Sequence, residues 1–209
     1  MNRGLLVTVD GPGGVGKTTV VGLVDDILTA HAVPVHITTQ PSRTELGDRI
    51  RHGTHTYHGM ALACLVAGDR HHQLATEIAP ALQAGTVVLC DRYLPSSLVL
   101  QRLDGLSTTT IWQLNAGARI PDTAVLLTGD PKAIAKRLTT RGSNSRFEQQ
   151  PGSSQAEVDL YHQAAAELAE AGWPLLTLDA STARPETIAS TIARHIETLY
   201  LERSPACPA

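Results

Sequence analysis

Residues 11–18 read Gly-Pro-Gly-Gly-Val-Gly-Lys-Thr, a complete G-x-x-x-x-G-K-[ST] pattern. No other feature limits the fold so strongly. The apolar run Leu5-Leu6-Val7-Thr8-Val9 precedes it, and a helical pattern over 17–30 follows. Strand, glycine-rich loop and helix in that order are the context in which this pattern cradles phosphate groups. Glycine lets the loop turn several backbone N–H groups onto one anion, and the helix N-terminus adds unpaired donors and a positive dipole end. Gly11, Gly13, Gly14, Val15, Gly16, Lys17, Thr18 and Thr19 are therefore the expected nucleotide-binding residues. Lys17 would bridge the β- and γ-phosphates of ATP, and Thr18 would ligate the accompanying Mg²⁺.

The rest of the chain repeats short apolar runs between longer helical patterns. Strands are expected at 4–10, 33–38, 86–91, 122–128 and 174–179, each rich in Val, Leu, Ile and Thr. Such runs suit strands covered on both faces. Helices are expected near 17–30, 44–53, 58–84, 107–117, 131–140, 154–171 and 184–202. Asp130-Pro131 reads as a cap followed by proline at the first helical position, and Gly85 and Gly172 suit helix C-terminal turns. Alternation of this kind predicts an α/β fold: a three-layer sandwich around a five-stranded parallel sheet. Residues 1–203 are expected to form one domain, with a polar insertion at 141–153 and a disordered tail at 204–209.

A net charge of −3 with scattered basic residues argues against a nucleic-acid surface. No apolar run is long enough to span a membrane, and no signal pattern opens the chain. Cys64, Cys90 and Cys207 are odd in number and lack C-x-x-C spacing. The expectation is a cytoplasmic protein without disulfides, with Cys90 a buried thiol. His52, His55 and His58 are spaced by three, but Gly53 and two threonines interrupt the helix and no carboxylate or thiol joins them. A polar surface on the substrate cleft is the preferred reading over a metal site.

Val87-Val88-Leu89-Cys90-Asp91 is a strand ending in aspartate, and Arg92 follows directly. A carboxylate at that place supports a Mg²⁺ shell, and an arginine there grips a phosphate through two nitrogens. With these residues in hand, the chain resembles the thymidylate kinase family of nucleoside monophosphate kinases along nearly its whole length. The matching stretches are Gly11 to Thr18, Gln40-Pro41-Ser42 with Gly47 and Arg51, and Gly68 to Gln73. They continue through Ile78 to Leu82, Asp91-Arg92-Tyr93 with Ser96-Ser97, and Pro121-Asp122. The last are Arg141-Gly142 to Arg146-Phe147-Glu148, and Tyr161.

The resemblance implies a kinase fold with a short lid at about 141–153, ATP and Mg²⁺ as cofactors, and a homodimer face on the apolar helix 58–84. It implies that Lys17, Asp91, Arg92, Arg141 and Arg146 serve catalysis, with Thr18 and Asp91 on the metal. Family members carry a catalytic arginine in the phosphate loop or the lid; Gly13, Gly14 and Val15 supply none, which leaves Arg141 and Arg146. The implied acceptor residues are Gln40, Arg51, Val66, Arg70, Arg92, Tyr93 and Leu100.

Four positions depart from the family pattern. Gly13 replaces an acidic residue that contacts the sugar 3′-hydroxyl. Val66 replaces a phenylalanine that stacks on thymine. Leu100 stands near a tyrosine that crowds the sugar 2′ position. Thr39-Gln40-Pro41 stands where the family has Arg-Glu-Pro. The donor machinery is kept while the acceptor pocket is altered, and Tyr57, Tyr93 or Tyr161 would be the rings available to compensate. Gln40 cannot act as a base, which favours an already anionic monophosphate acceptor over a nucleoside hydroxyl. The expected reaction is phosphorylation of a nucleoside monophosphate, with dTMP first and a modified or ribose pyrimidine nucleotide behind it. A nucleoside or small-alcohol kinase with Asp91 as base stays open, as does a non-catalytic nucleotide switch, although the chain has no Asn-Lys-x-Asp guanine motif.

Overall fold

The computed structural model describes residues 4–142 and 146–203. Five strands form one parallel sheet: β1 (Leu6–Asp10), β2 (Val35–Thr39), β3 (Val87–Asp91), β4 (Thr123–Thr128) and β5 (Leu175–Asp179). Their order across the sheet is β2-β3-β1-β4-β5. β1, β3 and β4 are buried on both faces along nearly their whole length, as central parallel strands are when helices cover both sides. All five expected strands are present, each starting one or two residues later than expected.

One face of the sheet packs on α1 (Lys17–Ala30), α7 (Pro131–Arg141) and α10 (Pro185–Arg203). Val20, Val24 and Leu28 of α1 and Ile188, Ile192 and Ile196 of α10 interlock there with Val7, Val9 and Val125. The other face packs on α4 (Ala79–Gln83), α5 (Leu94–Leu103) and α9 (Ser153–Glu170) around Leu98, Tyr161, Leu168 and Trp173. Trp112 meets Trp173 edge-on with ring centroids 6.2 Å apart. Asp130 caps α7 as expected, its Oδ2 accepting the Ala133 amide at 2.9 Å.

The expected helix 58–84 is three pieces: α3 (Gly59–Gln73), a π-turn over Leu74–Ile78, and α4. α2 (Glu45–His52) and α6 (Thr108–Leu114) fall within their expected ranges. Two helices were not foreseen. α5 is buried on nearly every side, Ser96, Ser97 and Gln101 included, with Pro95 in its first turn, so it lacks the 3.6-residue apolar stripe that marks a surface helix. α8 (Arg146–Gln149) is a single turn inside the polar insertion. The expectation of a disordered 204–209 tail and part of the expected lid, 143–145, lie outside the described residues. Among the described residues no helix is long and apolar enough to cross a membrane. α3 is not buried all round: Met60 is 51% exposed and Cys64 is exposed, while Leu62, Ala63 and Ala67 face inward.

Candidate active site

The C-terminal ends of β1, β2 and β3 open onto one continuous cavity of about 840 Å³. That is where ligands gather in open α/β sheets. The phosphate loop forms one side. Gly14 and Gly16 take φ of 77° and 112°, values that a side chain would resist, and these turns let the loop wrap over the start of α1. Lys17 is buried and donates to the loop carbonyls of Gly11 at 2.7 Å and Pro12 at 2.8 Å. Burial and the neighbouring Arg92 charge lower its pKa to about 7, against the pull of Asp91, Glu157 and Asp10.

Thr18 and Asp91, 73 residues apart, meet at the cavity: Thr18 Oγ1 donates to Asp91 Oδ2 at 2.7 Å. Asp91 Oδ1 is buried and has no hydrogen-bond partner. A hydroxyl oxygen beside a carboxylate with a spare oxygen is an all-oxygen donor set, and it fits Mg²⁺. The residues present therefore suit the cation that the phosphate loop implies.

Arg92 lines the same cavity, and its backbone takes an unusual φ of 73° for a residue with a side chain. The cause lies next door. Asp10, at the tip of β1, accepts the amides of Tyr93 at 2.9 Å and Ser96 at 3.0 Å and the Ser96 hydroxyl at 2.7 Å. These three bonds hold the start of α5 against β1, and the chain turns sharply at Arg92 to reach it. Arg92 Nη1 lies 3.4 Å from Ser96 Oγ. Burial works to lower its pKa, but Tyr161, Asp91, Glu157 and Asp10 outweigh it and leave the guanidinium more firmly charged. Burial raises the Asp10 pKa, against the Ser96 and Tyr93 hydrogen bonds and the charges of Arg92 and Lys17. Nothing in the sequence marked Asp10 for this part.

The other expected acceptor residues also converge. Gln40, Arg51, Val66, Arg70, Tyr93 and Leu100 all line the cavity. Arg70 is 1% exposed and heavily engaged. Its Nε donates to Gln40 Oε1 at 2.7 Å and its Nη2 to Ser97 Oγ at 2.8 Å, while its Nη1 bonds Asn115 Oδ1. Its guanidinium lies 5.3 Å over the Tyr93 ring. Gln40 in turn donates to Gln73 Oε1 at 3.0 Å. Arg51 donates to the carbonyls of Pro41 at 2.6 Å and Ser42 at 3.0 Å. Burial keeps Tyr93 and Tyr161 protonated, their hydroxyls meeting the Arg119 carbonyl at 2.9 Å and Ser96 Oγ at 3.0 Å.

Three expectations are corrected. Arg146, expected over the transferring group, is outside the cavity lining. Its Nη2 pairs with Asp104 Oδ1 at 2.7 Å and its Nε donates to the Thr54 carbonyl, because α8 docks against the loop after α5. The three histidines are exposed and absent from the cavity wall, which takes Arg51 and Thr54 instead. Of the tyrosines, Tyr93 lines the cavity with its hydroxyl bonded elsewhere, while Tyr161 and Tyr57 lie outside the lining. Arg141 ends α7, and its side chain lies outside the described residues.

Other residues enter the site unannounced. Arg137 lines the donor side, with Nη1 3.4 Å from the Val15 carbonyl, and Ala180, Ala183, Pro185 and Ile188 form the wall beside it. Glu157 reaches from α9 to accept the Gly13 amide at 2.8 Å. Phe147 and Glu148 of α8 line the acceptor side.

The family model for thymidylate kinase matches residues 9–192. The chain belongs to the thymidylate kinase family. It is 33% identical over 152 residues to "Thymidylate kinase" of Bacillus velezensis, covering 68% of this chain and 72% of that relative. It is 35% identical over 157 residues to "Thymidylate kinase" of Deinococcus radiodurans, covering 71% of this chain and 76% of the other. Membership makes the protein a phosphotransferase of the nucleoside monophosphate kinase class. The observed cavity wall has the phosphate loop at one end and arginines with an apolar patch at the other.

Proposed function

We propose that this protein transfers the γ-phosphoryl group of ATP to a pyrimidine nucleoside monophosphate, with dTMP the first-choice acceptor. The observation that carries this reading is the single cavity in which Lys17, Thr18 and Asp91 face Arg92 and Arg51. The matched relatives, named as thymidylate kinases, support dTMP as the acceptor.

Lys17 leaves the carbonyls of Gly11 and Pro12 when a triphosphate enters, and its protonated amine neutralises charge on the β- and γ-phosphates. The loop amides hold the same oxygens. Thr18 and Asp91 would hold Mg²⁺, which would supply neutralisation of the phosphate charge when bound. Arg92 binds the acceptor phosphate through two nitrogens and sets one of its oxygens in line with the γ-phosphorus. A new bond forms from that oxygen to phosphorus while the bond to the β,γ-bridging oxygen breaks, and ADP departs. The acceptor is already anionic, so no general base is needed, in keeping with Gln40 at the tip of β2. Arg137 stands on the donor side near the loop and is available to the same phosphates.

The test is ADP release measured with a panel of nucleosides and nucleoside monophosphates. Turnover with dTMP or a related pyrimidine monophosphate is expected. Turnover only with unphosphorylated nucleosides overturns the acceptor assignment, and ATP binding with no transfer to any acceptor overturns the enzyme reading.

A further inference from the structure

The acceptor end of the cavity has no flat wall on its main helices. Ile50, Leu62, Val66 and Leu100 face it there, all branched aliphatic side chains. A planar base gains about 1–3 kcal/mol from stacking on an aromatic face, which aliphatic walls do not offer. Tyr93 lines the cavity, but its ring is already engaged by the Arg70 guanidinium, 5.3 Å over it, and by Trp173, whose centroid is 6.2 Å away.

The ring comes from elsewhere. Phe147, the one phenylalanine in the chain, lies on α8 and packs with Ile50 and Leu62, against Val66 and Leu100. It is 5% exposed and lines the cavity. Its position is fixed from behind. The Arg146 guanidinium lies 4.2 Å over the ring and pairs with Asp104, which also accepts the Gly59 amide at the start of α3. Phe147 lines the cavity and Arg146 does not. Glu148 follows, and its Oε1 lies 2.5 Å from where a Cβ on Gly13 would stand. The volume of the missing side chain at Gly13 is filled by a carboxylate from α8.

We infer that α8 is the element that recognises the acceptor nucleoside: Phe147 is the wall on which its base packs, and the Arg146–Asp104 pair is the positioning latch behind it. This rests on the monophosphate kinase reading above. It assigns Arg146 to acceptor binding through Phe147 rather than to the moving phosphoryl group. It also explains how Val66 and Gly13 are tolerated together, since consecutive residues of one helical turn supply a ring and a carboxylate at both places.

Steady-state kinetics with ATP and the preferred monophosphate, together with thermal unfolding, tests the inference on the full chain. Phe147→Leu keeps the apolar cluster filled and removes only the ring; Phe147→Ala removes both. Both variants are expected to raise the acceptor KM, the alanine roughly 5- to 150-fold, with the ATP KM within about twofold of the parent. Phe147→Leu with Val66→Phe returns a ring to the same apolar cluster and is expected to recover part of the loss. Asp104→Asn loosens the latch and is expected to raise the acceptor KM without moving the ATP KM. A folded Phe147→Leu protein with unchanged acceptor KM overturns the inference alone. A parent protein that phosphorylates no monophosphate overturns the kinase reading, and this inference with it.

Discussion

Gly13 donates its amide to Glu157 Oε2 at 2.8 Å, tying the phosphate loop to a helix 144 residues further along the chain. Glu157 is 3% exposed and its charge also supports Lys17 and Arg92. Glu157→Ala would leave a buried amide unpaired and remove one of the negative charges that, with Asp91 and Asp10, compensate two buried cations. A loss of about 1–3 kcal/mol in unfolding free energy is expected from urea melts. Glu157→Gln keeps the hydrogen bond and is expected to lose less. An alanine variant as stable as the parent would show that the loop does not need this tether.

Burial, with the Arg92 charge beside it, lowers the Lys17 pKa to about 7. Between about pH 7 and 10.5 the unfolded chain carries a proton there that the native chain lacks. Linkage then requires stability to rise with pH across that window. Bound triphosphate would restore the charge, so nucleotide binding at pH 8 should take up close to one proton. Calorimetric titration in buffers of different ionisation enthalpy measures this uptake. Lys17→Met should abolish it, and uptake that persists in that variant would place the proton elsewhere.

Arg92 sits in the cavity, and among the described residues no carboxylate pairs with it directly; its Nη1 lies 3.4 Å from Ser96 Oγ. Arg92→Ala is expected to lower kcat/KM for the acceptor roughly 10- to 150-fold, the value of a charge-assisted contact. ATP affinity should be nearly unchanged. A larger fall in ATP affinity than in acceptor use would move Arg92 to the donor side.

Asp91 meets Thr18 with one oxygen and leaves the other buried without a partner. Asp91→Asn keeps the shape and removes the charge. The Mg²⁺ concentration giving half-maximal activity should rise by an order of magnitude or more. An unchanged Mg²⁺ profile would show that the cation is held by other groups.

Arg70 shows how a site residue can be visible in the sequence while its work is not. Its place in the Gly68-Asp69-Arg70 stretch was legible, and so was its nearness to the cavity. Its bonds to Gln40, Ser97 and Asn115 join three segments that no local pattern relates. Arg70→Lys keeps the charge but loses the planar fork, so about 2–4 kcal/mol of stability should be lost in a thermal or urea melt. A lysine variant that melts with the parent would make the fork dispensable.

The phosphate loop, the five strands and the Asp91-Arg92 strand end could be read from the chain because each is set by neighbours in sequence. Glycine conformations, apolar runs and turn residues act over a few positions, and the sheet they imply allows few arrangements. The α5 helix escaped because a segment buried on all sides carries no stripe. What only the folded chain decided is who faces whom across the cleft. Arg146 turns to Asp104 rather than to the phosphates, Phe147 supplies a ring beside Val66, and Glu148 fills the space over Gly13. Each depends on how one short helix docks against elements tens of residues away. Packing and charge pairing between distant segments fix that, and neither leaves a mark on local sequence.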